Sequence, residues 1–227
     1  KELGVACEIL PSLPCTFDNM SATLLGDTLY VLGGYRNGIP SCSMFSFCLS
    51  NYSGGWTEVF FPGKPRVQPV CASLFGNLYI WGGFIPGKES SVLTDGLCYQ
   101  PASGQWQVLR APLTTEGQPL TLTGGASVSY GDTLVICAGG VNRDIFEDAI
   151  SGRYKKVCES EYLLQPVEWY HFNDQLLAYD VRLGEWIRIG TPSPMLARAG
   201  ASLVLFGEDL FYIGGELKPG VRTSDIC

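Results

Sequence analysis

Four stretches of the chain share one order of apolar and polar positions: SATLLGDTLYVLGG (21–34), CASLFGNLYIWGG (71–83), GASVSYGDTLVICAGG (125–140) and GASLVLFGEDLFYIGG (200–215). In each, an apolar run meets a short polar turn, a second apolar run follows, and a Gly-Gly pair closes the unit. The turns (Gly26-Asp27, Gly76-Asn77, Gly131-Asp132 and Gly207-Glu208-Asp209) carry the chemistry of tight hairpins. Trp56, Trp106 and Trp186 stand downstream of the first three copies, and Tyr99 and Tyr179 each precede their Trp by seven positions. From the second glycine of each pair to the next, the intervals are 49, 57 and 75 residues. Self-similarity at a fixed spacing of about 50 residues predicts a repeat architecture with one supersecondary unit per copy.

A period of that size with double glycine and tryptophan resembles the kelch repeat, whose unit is one four-stranded propeller blade. The resemblance implies an all-β kelch β-propeller, with strands a and b innermost. The glycines ending strand b let neighbouring backbones approach closely, and the Trp opening strand d packs between blades. The predicted blades span about 15–62, 63–115, 116–192 and 193–227, with strand d at 56–60, 106–110 and 185–189 in the first three. The fourth stops after two strands and RTSDIC (222–227), and residues 4–10 read as strand d of a preceding blade. The whole is one propeller domain holding about four blades' worth of strands, either a closed four-bladed ring or part of a larger one. Between strands b and c of the third blade, Phe146, Ile150, Tyr154, Cys158 and Tyr162 recur every four residues and predict a short helical insertion. That helix either caps the mouth or packs on the blade.

Composition narrows the chemistry. Hydrophobic residues make up 46% and charged residues 16% of the 227 positions, which excludes disorder, and 28 glycines argue against long helices. No apolar run approaches the roughly 18 residues of a membrane span, and a net charge of −7 opposes general attraction to nucleic acid or an anionic membrane. The nine cysteines include no CxxC pair, so the clustered spacing of a zinc site is absent. Cys71 and Cys137 lie in apolar runs and read as small hydrophobes. His171 is the single histidine. Sites needing several imidazoles, such as copper oxidases, are excluded, and no GxSxG elbow partners it. It reads as a structural residue.

Strand order places the d–a connections and the b–c loops on one face of the propeller. Arg36, Lys88, Arg143, Lys218 and Arg222 fall on b–c loops, and Lys64, Arg66 and Arg198 on d–a segments, so eight of the 15 Lys and Arg share that face. Glu89, Asp144, Glu147, Asp148 and Glu216 join them. Cations converging on a propeller mouth in an acidic protein predict an anionic ligand held by arginine forks.

The segments FPGKPRVQPV (61–70), GGVNRDIF (139–146), ARAGASLV (197–204) and above all GGELKPGVRT (214–223) resemble the N-acetylneuraminate epimerase family of sialic acid mutarotases. That family comprises six-bladed kelch propellers, and the order here is similar to its cyclically permuted branch, in which two blades precede the first copy. The resemblance implies an isomerase that interconverts the α and β anomers of free N-acetylneuraminate without metal or nucleotide. Through the GE-x-KPG-x-R motif it implies that Glu216 and Arg222 are catalytic. Location and motif make Arg66, Asn142, Arg143, Arg198 and Lys218 the expected substrate-binding residues. The expected partner is a small anionic sugar. The competing reading is a non-catalytic kelch propeller that binds a protein or glycan. Resemblance implies the periplasm, whereas nine cysteines without obvious pairing fit a reducing compartment.

Overall fold

The computed structural model describes residues 9–86, 91–141 and 164–227. Three four-stranded antiparallel sheets and one hairpin follow one another along the chain. From inside outward the first contains Ser21–Leu25, Thr28–Leu32, Met44–Cys48 and Trp56–Val59. The second contains Val70–Leu74, Asn77–Trp81, Gly96–Gln100 and Gln105–Leu109. The third contains Ala126–Tyr130, Leu134–Ala138, Leu176–Asp180 and Glu185–Ile189. The hairpin is Ser202–Phe206 with Asp209–Ile213, and Ile213 is bridged to Ile226. Helical structure among the described residues consists of three 3-10 turns of three residues each. The fold is an all-β kelch-type propeller, in which each four-stranded sheet takes its strands in chain order from inside outward. No helix among the described residues is long and apolar enough to cross a membrane. The expected helical insertion at 144–163 and residues 4–8 of the expected preceding strand lie outside the described residues.

Why these runs become blades is visible in their burial. The second strands bury consecutive residues, Tyr30 to Leu32, Leu78 to Trp81 and Val135 to Ala138, because both faces of each sheet are covered by neighbours. The outer strands Trp56–Val59, Gln105–Leu109 and Glu185–Ile189 keep a solvent face and bury no residue completely. Tyr30, Leu32, Met44, Leu78, Ile80 and Tyr99 fill the space between the first two sheets. Tyr79, Trp81, Val135, Cys137, Leu177 and Tyr179 fill the next. Trp186 joins this second cluster, its ring meeting Trp81 edge-on at 4.9 Å. Burial pushes the Cys98 thiol up to about 11, so it stays neutral and packs as a hydrophobe.

The three tryptophans do one job. The indole N–H of Trp106 donates to the Phe60 carbonyl at 3.0 Å, and that of Trp186 to the Arg110 carbonyl at 2.9 Å, each the residue just beyond the outer strand of the preceding sheet. Trp56 makes the same bond to Pro11 at 2.9 Å, which puts Pro11 in the place of Phe60 and Arg110. Near the axis, hydroxyls bridge the innermost strands. Ser73 donates to Leu24, Ser127 to Cys71 and Ser129 to Ser73, at 2.5, 3.0 and 2.6 Å.

The Gly-Gly pairs sit where sheets crowd one another. Gly139 is left-handed (φ 64°), and a Cβ there would overlap the Arg198 carbonyl oxygen and the Tyr212 hydroxyl. Gly190 is also left-handed (φ 67°) but has open space around it. Gly139→Ala is therefore expected to cost at least about 3 kcal/mol or prevent folding, while Gly190→Ala costs about 1–2 kcal/mol from backbone strain alone. Thermal unfolding of both variants checks this, and equal losses would remove the crowding argument.

Candidate active site

The residue that follows each Gly-Gly pair lies beside the segment leading into the innermost strand of its own sheet. Tyr35 pairs with Asp18, Phe84 with Val67, Val141 with Thr123 and Glu216 with Ala199. Equivalent positions thus converge on one face, as strand order requires. Phe84 and Val141 carry apolar side chains, Tyr35 a phenol and Glu216 a carboxylate. The Glu216 backbone is held on both sides, its N–H donating to the Ala199 carbonyl at 2.8 Å and its carbonyl accepting from the Ala199 N–H at 3.0 Å.

Between these segments opens a cleft of about 220 Å³ whose walls include Gln68, Phe84, Val141, Tyr170, Phe172 and Glu216. Tyr170 and Phe172 stack at 6.4 Å. One carboxylate in a largely apolar, aromatic mouth is suited to holding the face of a ring while exchanging a proton with its polar edge.

Local sequence explains how Glu216 meets Arg222. Glu216–Lys218 and Val221–Arg222 form a short hairpin whose turn is Pro219-Gly220, with Gly220 at φ 80°. Pro sets the first turn position and Gly supplies the left-handed second. The turn places Glu216 directly opposite Arg222, whose Nε donates to Oε1 at 3.2 Å. The carboxylate side chain is 34% exposed and the guanidinium-bearing one 81%. An ion pair this exposed contributes at most about 1 kcal/mol, so an incoming anion can compete for the arginine.

Other expected mouth residues stand elsewhere. Arg66 and Arg198, expected at the mouth as ligand forks, are 0% and 1% exposed. Arg66 donates from Nη1 to the Gly82 carbonyl at 3.0 Å and meets Asp95 through both terminal nitrogens, at 3.1 and 2.7 Å. It lies over the Phe61 ring at 5.2 Å. Arg198 donates to the Gly214 and Asp225 carbonyls at 2.9 and 3.0 Å and lies over Tyr212 at 4.8 Å. In the third sheet Asn173 does the same work, its Nδ2 donating to Gly139 and Thr121 carbonyls at 3.1 and 2.8 Å. These buried donors satisfy main-chain carbonyls at the Gly-Gly pairs rather than face solvent. Arg36 pairs with Glu58 at 3.1 Å within the first sheet. Lys218 reaches the Gln165 carbonyl at 2.8 Å, with Nζ 6.0 Å from the Tyr170 ring centre. Asn142 and Arg143 lie outside the described residues. His171 is exposed. Sequence reasoning missed Tyr170 and Phe172, which belong to no repeat, and missed that Phe84 and Val141 are the positional equivalents of Glu216, which aligning the Gly-Gly pairs makes visible.

The profile of a family described as N-acetylneuraminate epimerase matches residues 10–227. The N-acetylneuraminate epimerase of Haemophilus influenzae strain 86-028NP is 33% identical over 226 residues, covering 95% of this chain and 57% of that protein. The protein of the same name from Yersinia enterocolitica is 31% identical over 234 residues, covering 96% and 57%. The solved structure of YjhT superposes with a TM-score of 0.77 at 29% identity, covering 96% of this chain and 64% of that one. The chain thus spans 57% of the length of these curated relatives.

Proposed function

This chain belongs to the N-acetylneuraminate epimerase family, and on that premise we propose that the mouth cleft takes part in interconverting the α and β anomers of free N-acetylneuraminate. The observation that supports this reading best is the Glu216 carboxylate, fixed by its backbone on the wall of the cleft and paired to a solvent-facing Arg222. Opening the cyclic hemiketal removes a proton from the anomeric hydroxyl, breaks the bond from the anomeric carbon to the ring oxygen, and delivers a proton to that oxygen. The products are a ketone and a free hydroxyl. Rotation about the adjacent carbon–carbon bond presents the other carbonyl face, and the same proton movements run backward on closure. Glu216 serves as base in one direction and acid in the other. Arg222 does not shuttle protons, because guanidinium stays charged; it receives the sugar carboxylate or the oxyanion that develops at the carbonyl.

Asn142 and Arg143 keep the substrate-binding role implied by the motif. Lys218 acts through the hairpin, tying it to the 164–172 segment. Arg66 and Arg198 belong to the scaffold in this reading. The expected blades at about 15–62, 63–115, 116–192 and 193–227 form one propeller domain. Exchange spectroscopy on equilibrated N-acetylneuraminate tests the activity, with acceleration of α-to-β exchange by the native protein carrying this chain as the expected result. Binding of the sugar without faster exchange would leave a non-catalytic glycan-binding propeller.

A further inference from the structure

An open series of three main-chain hydrogen bonds runs from sheet to sheet just before the innermost strands. The Gln68 N–H donates to the Asn19 carbonyl at 2.8 Å, Gly124 to Gln68 at 2.9 Å, and Gly200 to Gly124 at 2.8 Å. All four residues are left-handed, with φ of 50, 53, 68 and 64° at Asn19, Gln68, Gly124 and Gly200. Glycine adopts this conformation freely and Asn tolerates it, whereas an unbranched longer side chain is uncommon there. Gln68 is therefore a strained choice at a place where the same series twice uses glycine. It is also exposed, and its side chain lines the cleft that holds Glu216. Strain retained at a cleft wall is a reason to look for function.

Neighbouring chemistry settles how the amide is oriented. Asn19 Nδ2 donates to Asp18 Oδ1 at 2.8 Å, and an ionised carboxylate accepts without donating. Asn19 must then turn its oxygen toward Gln68, and Gln68 Nε2 donates to it at 3.1 Å. This leaves the second Nε2 hydrogen and Oε1 of Gln68, the latter without a hydrogen bond among the described residues. The side chain shows the cleft one donor and one acceptor at the spacing of an amide edge. An acylamino group is trans and turns its N–H and its carbonyl to opposite sides, so Gln68 meets one of them, accepting from the N–H or donating to the carbonyl.

We propose that Gln68 is a specificity-determining residue that contacts the acylamino substituent of the sugar acid; the proposal rests on the reading of the cleft given above. The test compares exchange of two sugars, one with the acetamido group and one with hydroxyl in its place, for the native protein, Gln68→Gly and Gln68→Asn. Gln68→Gly relieves the left-handed strain, so its melting temperature is expected to hold or rise. Its kcat/KM is expected to fall roughly tenfold for the acetamido sugar and less than about threefold for the hydroxyl analogue, the size of one lost hydrogen bond. Gln68→Asn, with the amide drawn back by one methylene, is expected to lose selectivity in the same direction. Equal losses on both sugars, or no loss, overturn the proposal while leaving the mutarotase reading intact. Absence of exchange by the native protein overturns both.

Discussion

Glu216→Gln is expected to slow anomer exchange by about 10²–10⁴-fold, the usual contribution of a positioned general acid–base group. The substitution keeps the shape of the side chain and removes its ability to take up and return a proton. Because both main-chain groups of Glu216 are bonded to Ala199, the backbone has no reason to move, and the exposed pair with Arg222 contributes too little for its loss to unfold the hairpin. The loss should therefore appear in kcat, with KM within a few-fold and the melting temperature nearly unchanged. Line-shape or exchange NMR over a range of sugar concentrations separates these quantities. Activity that survives in Glu216→Gln would move the acid–base role to another group in the cleft.

Arg66→Leu is the largest expected stability change that does not involve glycine. Removing it orphans the Gly82 carbonyl, leaves Asp95 without its two-pronged partner and empties the space over Phe61. Breaking a buried charge pair by deleting one member costs about 3–5 kcal/mol, although Asp95 is 40% exposed and water recovers part of its share, so about 3 kcal/mol is the better figure. For a domain of this size that corresponds to a fall in melting temperature of roughly 6–12 °C. Arg222→Leu, at the exposed pair, is the control and should cost under about 1 kcal/mol. A ligand-holding Arg66 would show the reverse pattern, with stability kept and KM raised. Thermal and denaturant unfolding of the two variants side by side discriminate between them.

The same contrast shows how far the chain can be read without its tertiary structure. Both arginines were expected on the mouth because each lies on a segment leading into an innermost strand, and strand order places those segments correctly. What strand order leaves open is the direction of a long side chain. Arg66 turns inward because the Gly82 carbonyl, 16 positions on, needs a donor where no water reaches, and Asp95, 29 positions on, pairs with it from a half-exposed position. Arg198 turns inward to donate to the Gly214 and Asp225 carbonyls. Asn173 supplies the third such donor from a segment that matches no repeat, so no alignment of the copies could pair it with the arginines.

Residues a few positions apart along the chain were enough to determine the hairpins, the Gly-Gly closures and the meeting of Glu216 with Arg222. Each is a local event: alternation makes a strand, Gly-Asp or Pro-Gly makes a turn, and the turn decides which side chains face each other. Only the tertiary structure decided which cations are buried, that Tyr170 and Phe172 wall the cleft, and that Asn19, Gln68, Gly124 and Gly200 are joined in one series of hydrogen bonds. Those outcomes depend on groups beyond the reach of one hairpin, from 16 positions apart for Arg66 and Gly82 to 76 for Gly124 and Gly200, meeting in the packed blades. There a carbonyl without water must find a donor, and that demand belongs to the packed blades rather than to any one segment.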